Sequence, residues 1–161
     1  SPCDGSPEAL TVDYTAKKVY SPGYPARYDN NLNCEWLLEA GAGVRPGFGI
    51  QLATLELELD PSYVTNVGEC DDFLELFEAP SNPGPSLGRW CGRALKIVKS
   101  MATTLTLRFS TNGLYTGRGF VIEYSLIRIG SAECLPGRTT PVHVGRAPLY
   151  ESFEVKSSEN R

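Results

Sequence analysis

Ile50-Gln51-Leu52-Ala53-Thr54-Leu55-Glu56-Leu57-Glu58-Leu59-Asp60 is the stretch of the chain that decides the fold. Its apolar residues alternate with polar ones, which is the period of a β-strand with one buried face. The phase of this alternation changes around residues 53–54, and such a slip predicts a β-bulge. The alternation also predicts that Glu56, Glu58 and Asp60 point outward, away from the leucines.

Other runs of the chain also predict strands. Residues 105–109 and 120–126 have their apolar residues on one face, and residues 73–77 are apolar on both faces except at Glu75, as in a central strand. Turn residues separate these segments: Ser21-Pro22-Gly23, Asn82-Pro83-Gly84-Pro85 and Asn112-Gly113. Several short strands with turns between them predict an all-β sandwich. Only residues 93–101 could hold a helical turn, and the β-branched Ile97 and Val98 weigh against one.

Length and charge exclude several classes of protein. The chain has 161 residues, with 15 Lys and Arg against 19 Asp and Glu, and a net charge of −4. This length suits one domain plus a tail, or at most two very small domains. The mildly acidic balance disfavours a nucleic-acid binder, which normally has a basic face. No apolar run approaches the roughly 20 residues that cross a bilayer, so we expect no membrane insertion of this segment.

Catalytic motifs are missing from the sequence. His143 is the only histidine, and no pair of cysteines has the CxxC spacing of zinc sites and redox dithiols. The chain also has neither a GxxxxGK[ST] loop nor a GxGxxG motif for nucleotide binding. We therefore predict that this segment is not an enzyme.

The composition divides the chain near Gly130. We interpret residues 1–130 as one compact domain, and residues 131–161, which contain three prolines and two glycines, as a tail or a linker to a further module. Four of the five cysteines lie in the first part, and disulfides among them would imply an oxidising compartment. Four cysteines permit three pairings. Because the chain begins without a methionine, we expect a mature or excised segment of a larger protein.

A set of motifs resembles a known family. The residues Ser21-Pro22-Gly23-Tyr24-Pro25, then Tyr28, and then Asn31 through Cys34-Glu35-Trp36 resemble the SPxYPxxY…NxxCxW pattern of CUB domains. Further matches follow in the family's order: Leu57-Glu58, Cys70-Asp71-Asp72-Phe73-Leu74-Glu75, Leu87-Gly88-Arg89-Trp90-Cys91-Gly92, Leu107-Arg108-Phe109 and Gly117-Arg118-Gly119-Phe120. The resemblance extends over about residues 3–127.

The resemblance implies the disulfides and the fold. It implies a compact antiparallel β-sandwich of the CUB type with two disulfides, Cys3–Cys34 and Cys70–Cys91. Cys134 lies outside this frame, and it could pair with a following module, pair with another chain, or be free. The family resemblance also implies an extracellular location, either secreted or in the ectodomain of a membrane protein.

Residues 56–78 contain eight acidic residues and neither lysine nor arginine. These could form a solvated strand face or a calcium site, since calcium takes 6–8 oxygen ligands. The resemblance to calcium-binding CUB domains implies Glu58, Asp72 and Asn112 as ligands, with Asp71 as a competitor for Asp72. Asn112 stands where those members have aspartate, so the loss of one charge predicts a weakened site. Tyr28 matches a tyrosine that helps to order the calcium site in such domains.

The resemblance implies a non-catalytic recognition module for an extracellular protein ligand or co-receptor. Its contact edge would include Tyr28, Glu58, Asp72 and Tyr115, with Tyr63 as a further exposed aromatic residue. Alternatives are a calcium-independent glycan-binding domain like the spermadhesins and a regulatory segment of a multidomain extracellular protease. The segments at residues 44–49 and 61–69 look long for connections within such a domain, and long loops often carry specificity.

Overall fold

The computed structural model describes residues 1–60, 70–79 and 84–130. All regular secondary structure in these ranges is β-strand, as the alternating sequence predicts. The strands are β1 (Glu8–Val12), β2 (Lys17–Tyr20), β3 (Asn33–Ala40), β4 (Phe48–Glu58), β5 (Phe73–Glu78), β6 (Ser86–Trp90), β7 (Ile97–Ser100), β8 (Thr104–Ser110) and β9 (Gly119–Arg128). None of the described ranges contains a helix that could cross a membrane.

The strands form two sheets. One sheet has the order β1-β3-β8-β5-β6, and the other has the order β2-β9-β4-β7. β1 and β3 run parallel, and the other neighbouring strands are antiparallel. Buried residues from both sheets form one hydrophobic core. The structure thus confirms the predicted β-sandwich, with one parallel pair that the prediction did not include.

Aromatic rings join the two sheets across the core. Phe109 of β8 and Phe120 of β9 are both fully buried, and their rings meet edge to face with centroids 5.1 Å apart. Trp36 of β3 also packs edge-on against Phe120, at 5.8 Å. Edge-to-face pairs of this kind add about 0.5–1.5 kcal/mol beyond the burial of apolar area.

β4, the strand with the alternating leucines, contains the predicted bulge. The register between β4 and β9 shifts between Thr54 and Glu56, which leaves Leu55 as the extra residue, 42% exposed. The predicted outward position of Asp60 is wrong, because Asp60 is only 1% exposed. β4 ends at Glu58, and the backbone N–H of Leu59 donates to the Gly92 carbonyl at 2.9 Å, so the alternation of β4 does not extend to Asp60.

Both disulfides that the family resemblance implied are present, Cys3–Cys34 and Cys70–Cys91. The segment at residues 93–101 holds β7 instead of a helical turn, since Ile97 and Val98 pair with Ala53 and Leu52 of β4. The predicted tail at residues 131–161, with Cys134, and the aromatic Tyr63 lie outside the described residues. The domain boundary near residue 130 therefore stays a prediction.

Candidate functional site

A buried polar group lies at the end of the sandwich where β4 and β8 end and β5 begins. The Tyr28 hydroxyl donates to Asp72 Oδ2 at 2.7 Å, and it accepts a hydrogen bond from the backbone N–H of Asp60 at 2.9 Å. Asp72 Oδ1 accepts from the backbone N–H of Asn112 at 2.8 Å. Tyr28, Asp60 and Asp72 are all 2% exposed or less. We call Tyr28, Asp60, Asp72 and Asn112 the acidic cluster.

Core packing and loop hydrogen bonds hold the acidic cluster in place. The ring of Tyr28 packs edge-on against Phe109, 5.1 Å between centroids, so the phenol is anchored in the core. The Tyr28 backbone N–H donates to the Gly117 carbonyl at 3.1 Å. The loop after β8 is tied down by Thr111, whose hydroxyl accepts from the Leu32 N–H at 2.7 Å. These contacts place the cluster before any ligand arrives.

The side chain of Asn112 has a local role in this structure. Its Oδ1 accepts a hydrogen bond from the backbone N–H of Leu114 at 3.1 Å, and its backbone N–H faces Asp72. An asparagine that bonds the backbone two residues ahead forms an Asx turn, a common start of a tight loop. The amide oxygen that the sequence predicts as a ligand is therefore engaged in shaping the loop.

Burial makes charge costly at the acidic cluster. The pKa of the Asp72 carboxyl is raised, chiefly because burial disfavours the charged form, and the charges of Asp60 and Asp71 raise it further. The hydrogen bonds from Tyr28 and Asn112 act in the opposite direction. Burial also raises the pKa of the Tyr28 phenol, which therefore stays protonated and donates its hydrogen bond. The Tyr28 hydroxyl thus connects two buried acidic residues, through the carboxylate of Asp72 and the backbone N–H of Asp60.

Glu58 lies outside the hydrogen-bonded group that forms the acidic cluster. It lines a surface hollow of about 120 Å³ together with Tyr24, Glu56, Leu57, Arg93, Arg118 and Gly119. Its carboxylate, 37% exposed, is 4.0 Å from the Arg93 guanidinium. In the same hollow the Tyr24 hydroxyl donates to Glu56, and the Arg118 guanidinium lies 5.4 Å from the Tyr24 ring centre. Opposite charges therefore face each other across the hollow.

The predicted contact residues divide into buried and exposed ones. Tyr28 and Asp72 are 2% and 0% exposed, so neither side chain can touch a partner in this structure. Tyr115 is 57% exposed in the loop between β8 and β9, and the neighbouring Leu114 is 72% exposed. Among the predicted contacts, Glu58 and Tyr115 are available at the surface, and Leu114 is an exposed neighbour that the sequence analysis did not identify.

The structure brings Tyr28, Asp72 and Asn112 together and adds Asp60, which the sequence analysis missed. Its position just before Pro61, at the end of the alternating run, is the one signal that could have distinguished it from Glu56 and Glu58. In the described part of the chain, no group of three or more histidine, cysteine or acidic side chains is arranged to hold a metal ion. The acidic cluster offers hard oxygen donors, which suit calcium in kind, with two carboxyl groups.

Comparison with known proteins agrees with the motifs. The family model for the CUB domain matches residues 3–124. Neuropilin-2 of Mus musculus is 28% identical over 142 residues, which is 87% of this chain and 14% of neuropilin-2. Cubilin of Homo sapiens is 33% identical over 103 residues, or 63% of this chain and 3% of cubilin. The chain therefore spans only a small part of these relatives.

Solved structures show the same fold. A crystal structure of the MASP-1 CUB2 domain bound to Ca²⁺ is 14% identical and has a TM-score of 0.58, covering 71% of this chain and 96% of that one. The CUB1-EGF-CUB2 structure of human MASP-1/3 is 17% identical with a TM-score of 0.57, covering 75% of this chain and 42% of that one. At this level of identity the match concerns the fold alone.

Proposed function

The chain belongs to the CUB domain family, which its residues 3–124 match, and on that premise we propose a calcium-ordered recognition module that binds a basic side chain of an extracellular protein partner. The domain is extracellular, as its two disulfides and its relatives indicate. CUB domains are in general non-catalytic binding modules for extracellular proteins. The calcium ion, its ligands and the basic group of the partner are the parts that we propose.

Calcium binding is supported by two buried acidic residues that both contact the Tyr28 hydroxyl. Asp60 and Asp72 are 1% and 0% exposed, and both contact the Tyr28 hydroxyl, one through its backbone N–H and one through its carboxylate. Burial and the neighbouring Asp60 charge disfavour ionised Asp72, so a cation would relieve both effects. Calcium, when bound, supplies two positive charges to oxygen ligands.

The residues of this chain would then have separate tasks. The carboxyl groups of Asp60 and Asp72 would hold the ion. Tyr28 positions Asp72 through its hydrogen bond and stays neutral. Asn112 contributes its backbone N–H to Asp72, and its Asx turn shapes the loop that presents Tyr115. We retain Glu58 as the competing ligand that the family resemblance implied.

The surface next to the acidic cluster suits a partner with a cationic side chain. Tyr115 and Leu114 offer exposed aromatic and apolar area, and exposed tyrosines are frequent anchors in protein interfaces. Glu58 is partly exposed and has Arg93 as a neighbour at 4.0 Å, so a lysine or arginine of the partner could replace that weak contact. A carboxylate that is already held in place forms such a bond with little further ordering.

The experiment is a set of thermal melts of the full chain in excess EDTA and in millimolar calcium. A ligand that binds only the folded state, at 100 times its Kd, stabilises that state by about 2.7 kcal/mol. We expect Asp60→Asn and Asp72→Asn to lose the calcium-dependent rise in Tm. Glu58→Gln, which removes the competing ligand at the end of β4, should keep the rise.

Other outcomes would change the assignment. If Glu58→Gln abolished the rise and Asp60→Asn retained it, the ligand would be Glu58 as the resemblance implied. If the unaltered chain showed no rise, calcium would be excluded as an ordering ion. The acidic cluster would then be a structural hydrogen-bond group, and recognition would depend on the exposed loop alone.

A further inference from the structure

A second group of charged and aromatic residues lies at the far end of the sandwich from the acidic cluster. Along the β4–β9 ladder, Glu58 pairs with Gly119 near the acidic cluster, and Phe48 pairs with Arg128 at the opposite end. Phe48 and Glu58 are ten positions apart along β4, or roughly 33 Å at the rise of a β-strand. A ligand at the far end is therefore independent of the acidic cluster.

A tight turn builds the far end. In Arg45-Pro46-Gly47-Phe48 the Phe48 N–H donates to the Arg45 carbonyl at 3.1 Å, and Gly47 has φ +83°. Proline followed by a glycine with positive φ defines a type II β-turn. The Gly47 carbonyl accepts from the N–H groups of Ile129 and Gly130, at 2.7 and 3.2 Å, so the turn is bound to the end of β9. The segment at residues 44–49, which is long for a connection in such a domain, thus contains a fixed turn.

Two arginines share an aromatic platform on this turn. The Arg45 guanidinium carbon lies 4.3 Å from the ring centre of Tyr14 and 5.6 Å from that of Phe48. The Arg128 guanidinium carbon lies 5.3 Å from the Phe48 ring centre, and its Nη1 is 3.4 Å from where a Cβ on Gly47 would lie. We call Arg45, Arg128, Tyr14 and Phe48 the arginine platform.

Hydrogen bonding makes the platform rigid. The Tyr14 hydroxyl accepts from the backbone N–H of Arg45 at 2.9 Å, and the Tyr14 and Phe48 rings meet edge to face at 5.2 Å. Stacking on a ring holds each guanidinium while leaving its N–H edge open to a planar acceptor. The platform is therefore ordered in advance of any ligand.

The charge of the platform is unbalanced within the described part of the chain. No ion pair between residues of those ranges involves Arg45 or Arg128. The acidic residue beside Tyr14 in the sequence, Asp13, is paired with Lys17 at 3.0 Å. Two cations that contact one ring repel each other, and an anion between or beside them would reduce that repulsion.

We propose that the arginine platform binds a carboxylate side chain of an acidic segment in an extracellular protein partner. A carboxylate is planar and accepts two parallel hydrogen bonds from a guanidinium. Tyr14, 40% exposed, adds a ring against which the partner's chain can pack. A long sulfated polysaccharide fits less well, because the chain carries a net charge of −4 and such a polyanion needs an extended basic surface.

The test is a titration of the full ¹⁵N-labelled chain with N-acetylated tetraglutamate, in EDTA so that calcium plays no part. We expect the side-chain N–H resonances of Arg45 and Arg128 to shift together. Removing both charges in the double variant Arg45→Gln, Arg128→Gln should weaken binding about fivefold or more, the scale of two exposed charge pairs. Arg93→Gln removes one exposed charge near the acidic cluster and should change binding less than about twofold.

Three results would overturn the proposal. One is the absence of shifts at Arg45 and Arg128. Another is equal weakening by Arg93→Gln and the double variant, which would indicate general attraction to any positive charge. The third is tighter binding of a heparin hexasaccharide than of tetraglutamate at the same two arginines, which would assign the platform to a sulfated sugar. Matching Tm values of the double variant and the unaltered chain exclude misfolding as the cause.

Discussion

Gly119, at the start of β9, is a position where even the smallest substitution should have a large effect. Its φ is +105°, a conformation that L residues other than glycine rarely adopt. A Cβ at this position would lie 1.8 Å from Ser21 Oγ and 2.7 Å from Ser21 Cβ. Ser21 is 2% exposed, and its hydroxyl accepts from the Phe120 N–H at 3.0 Å, so it has little room to move. Gly119→Ala therefore requires a shift of the backbone.

The magnitude follows from three contributions. A positive φ costs a residue with a Cβ about 1–2 kcal/mol, and an overpacked buried site costs about 1–3 kcal/mol. The reduced freedom of the unfolded chain offsets about 0.4–1 kcal/mol. We expect Gly119→Ala to lower the free energy of unfolding by about 2–4 kcal/mol, measured by urea denaturation with the disulfides intact.

Two further variants separate the contributions. Adding Ser21→Gly to Gly119→Ala removes both close atoms of Ser21 but leaves the positive φ, so part of the loss should be recovered as a coupling free energy. Gly41→Ala is the control, because nothing lies within 4 Å of its Cβ position, and it should be neutral or slightly stabilising. A loss below about 1 kcal/mol for Gly119→Ala, or the absence of coupling to Ser21, would refute the reasoning.

Two further predictions concern the core and the pH dependence of stability. Phe109→Ala should lower the free energy of unfolding by about 3–5 kcal/mol in urea denaturation, because Phe109 is fully buried between the rings of Tyr28 and Phe120. A loss no larger than that of the exposed control Tyr115→Ala would contradict this packing. Hydrogen bonds from the Thr15 backbone and from Lys17 lower the pKa of the Asp13 carboxyl below its ordinary value of 3.8. The ionised carboxylate therefore stabilises the folded state above pH 3.8, and this stabilisation is lost as the pH falls through the lowered pKa. Asp13→Asn should therefore reduce the loss of stability between neutral pH and pH 2, and identical pH profiles for the two proteins would exclude this contribution.

Much of the fold could be predicted because its signals are local. Alternation identified β4, β8 and β9, a short apolar run identified β5, and the order of short motifs identified the family and with it both disulfides. The segment at residues 93–101, where the sequence weighed against a helical turn but predicted no strand, shows the limit of local patterns. Ile97 and Val98 form a strand because β4 offers them partners in Ala53 and Leu52, and a short mixed segment does not reveal such partners.

The candidate site was predictable only in part. Motif matching named Tyr28, Asp72 and Asn112, and the structure places these three within one hydrogen-bonded group. Alternation put Asp60 on the outside together with Glu58, whereas the chain leaves β4 at Glu58 and buries Asp60 beside Tyr28. Whether an acidic side chain is buried depends on what covers it, and this cannot be derived from the period of one strand.

By itself the sequence determined four of the strands (β4, β5, β8 and β9), the bulge in β4, the family and the run of acidic residues at 56–78, because each of these depends on neighbouring residues or on short motifs. Only the tertiary structure decided that the Asp72 carboxylate and the Asp60 backbone meet at the Tyr28 hydroxyl, and that Arg45 and Arg128 meet on the ring of Phe48. Arg128 is far from Arg45 and Phe48 in the chain, as Tyr28 is from Asp60 and Asp72, and these groups come together through the pairing of β4 with β9 and the packing of the two sheets. The electrostatic character of both ends of the sandwich is therefore a product of long-range pairing, in which backbone hydrogen bonds and apolar burial bring like charges together.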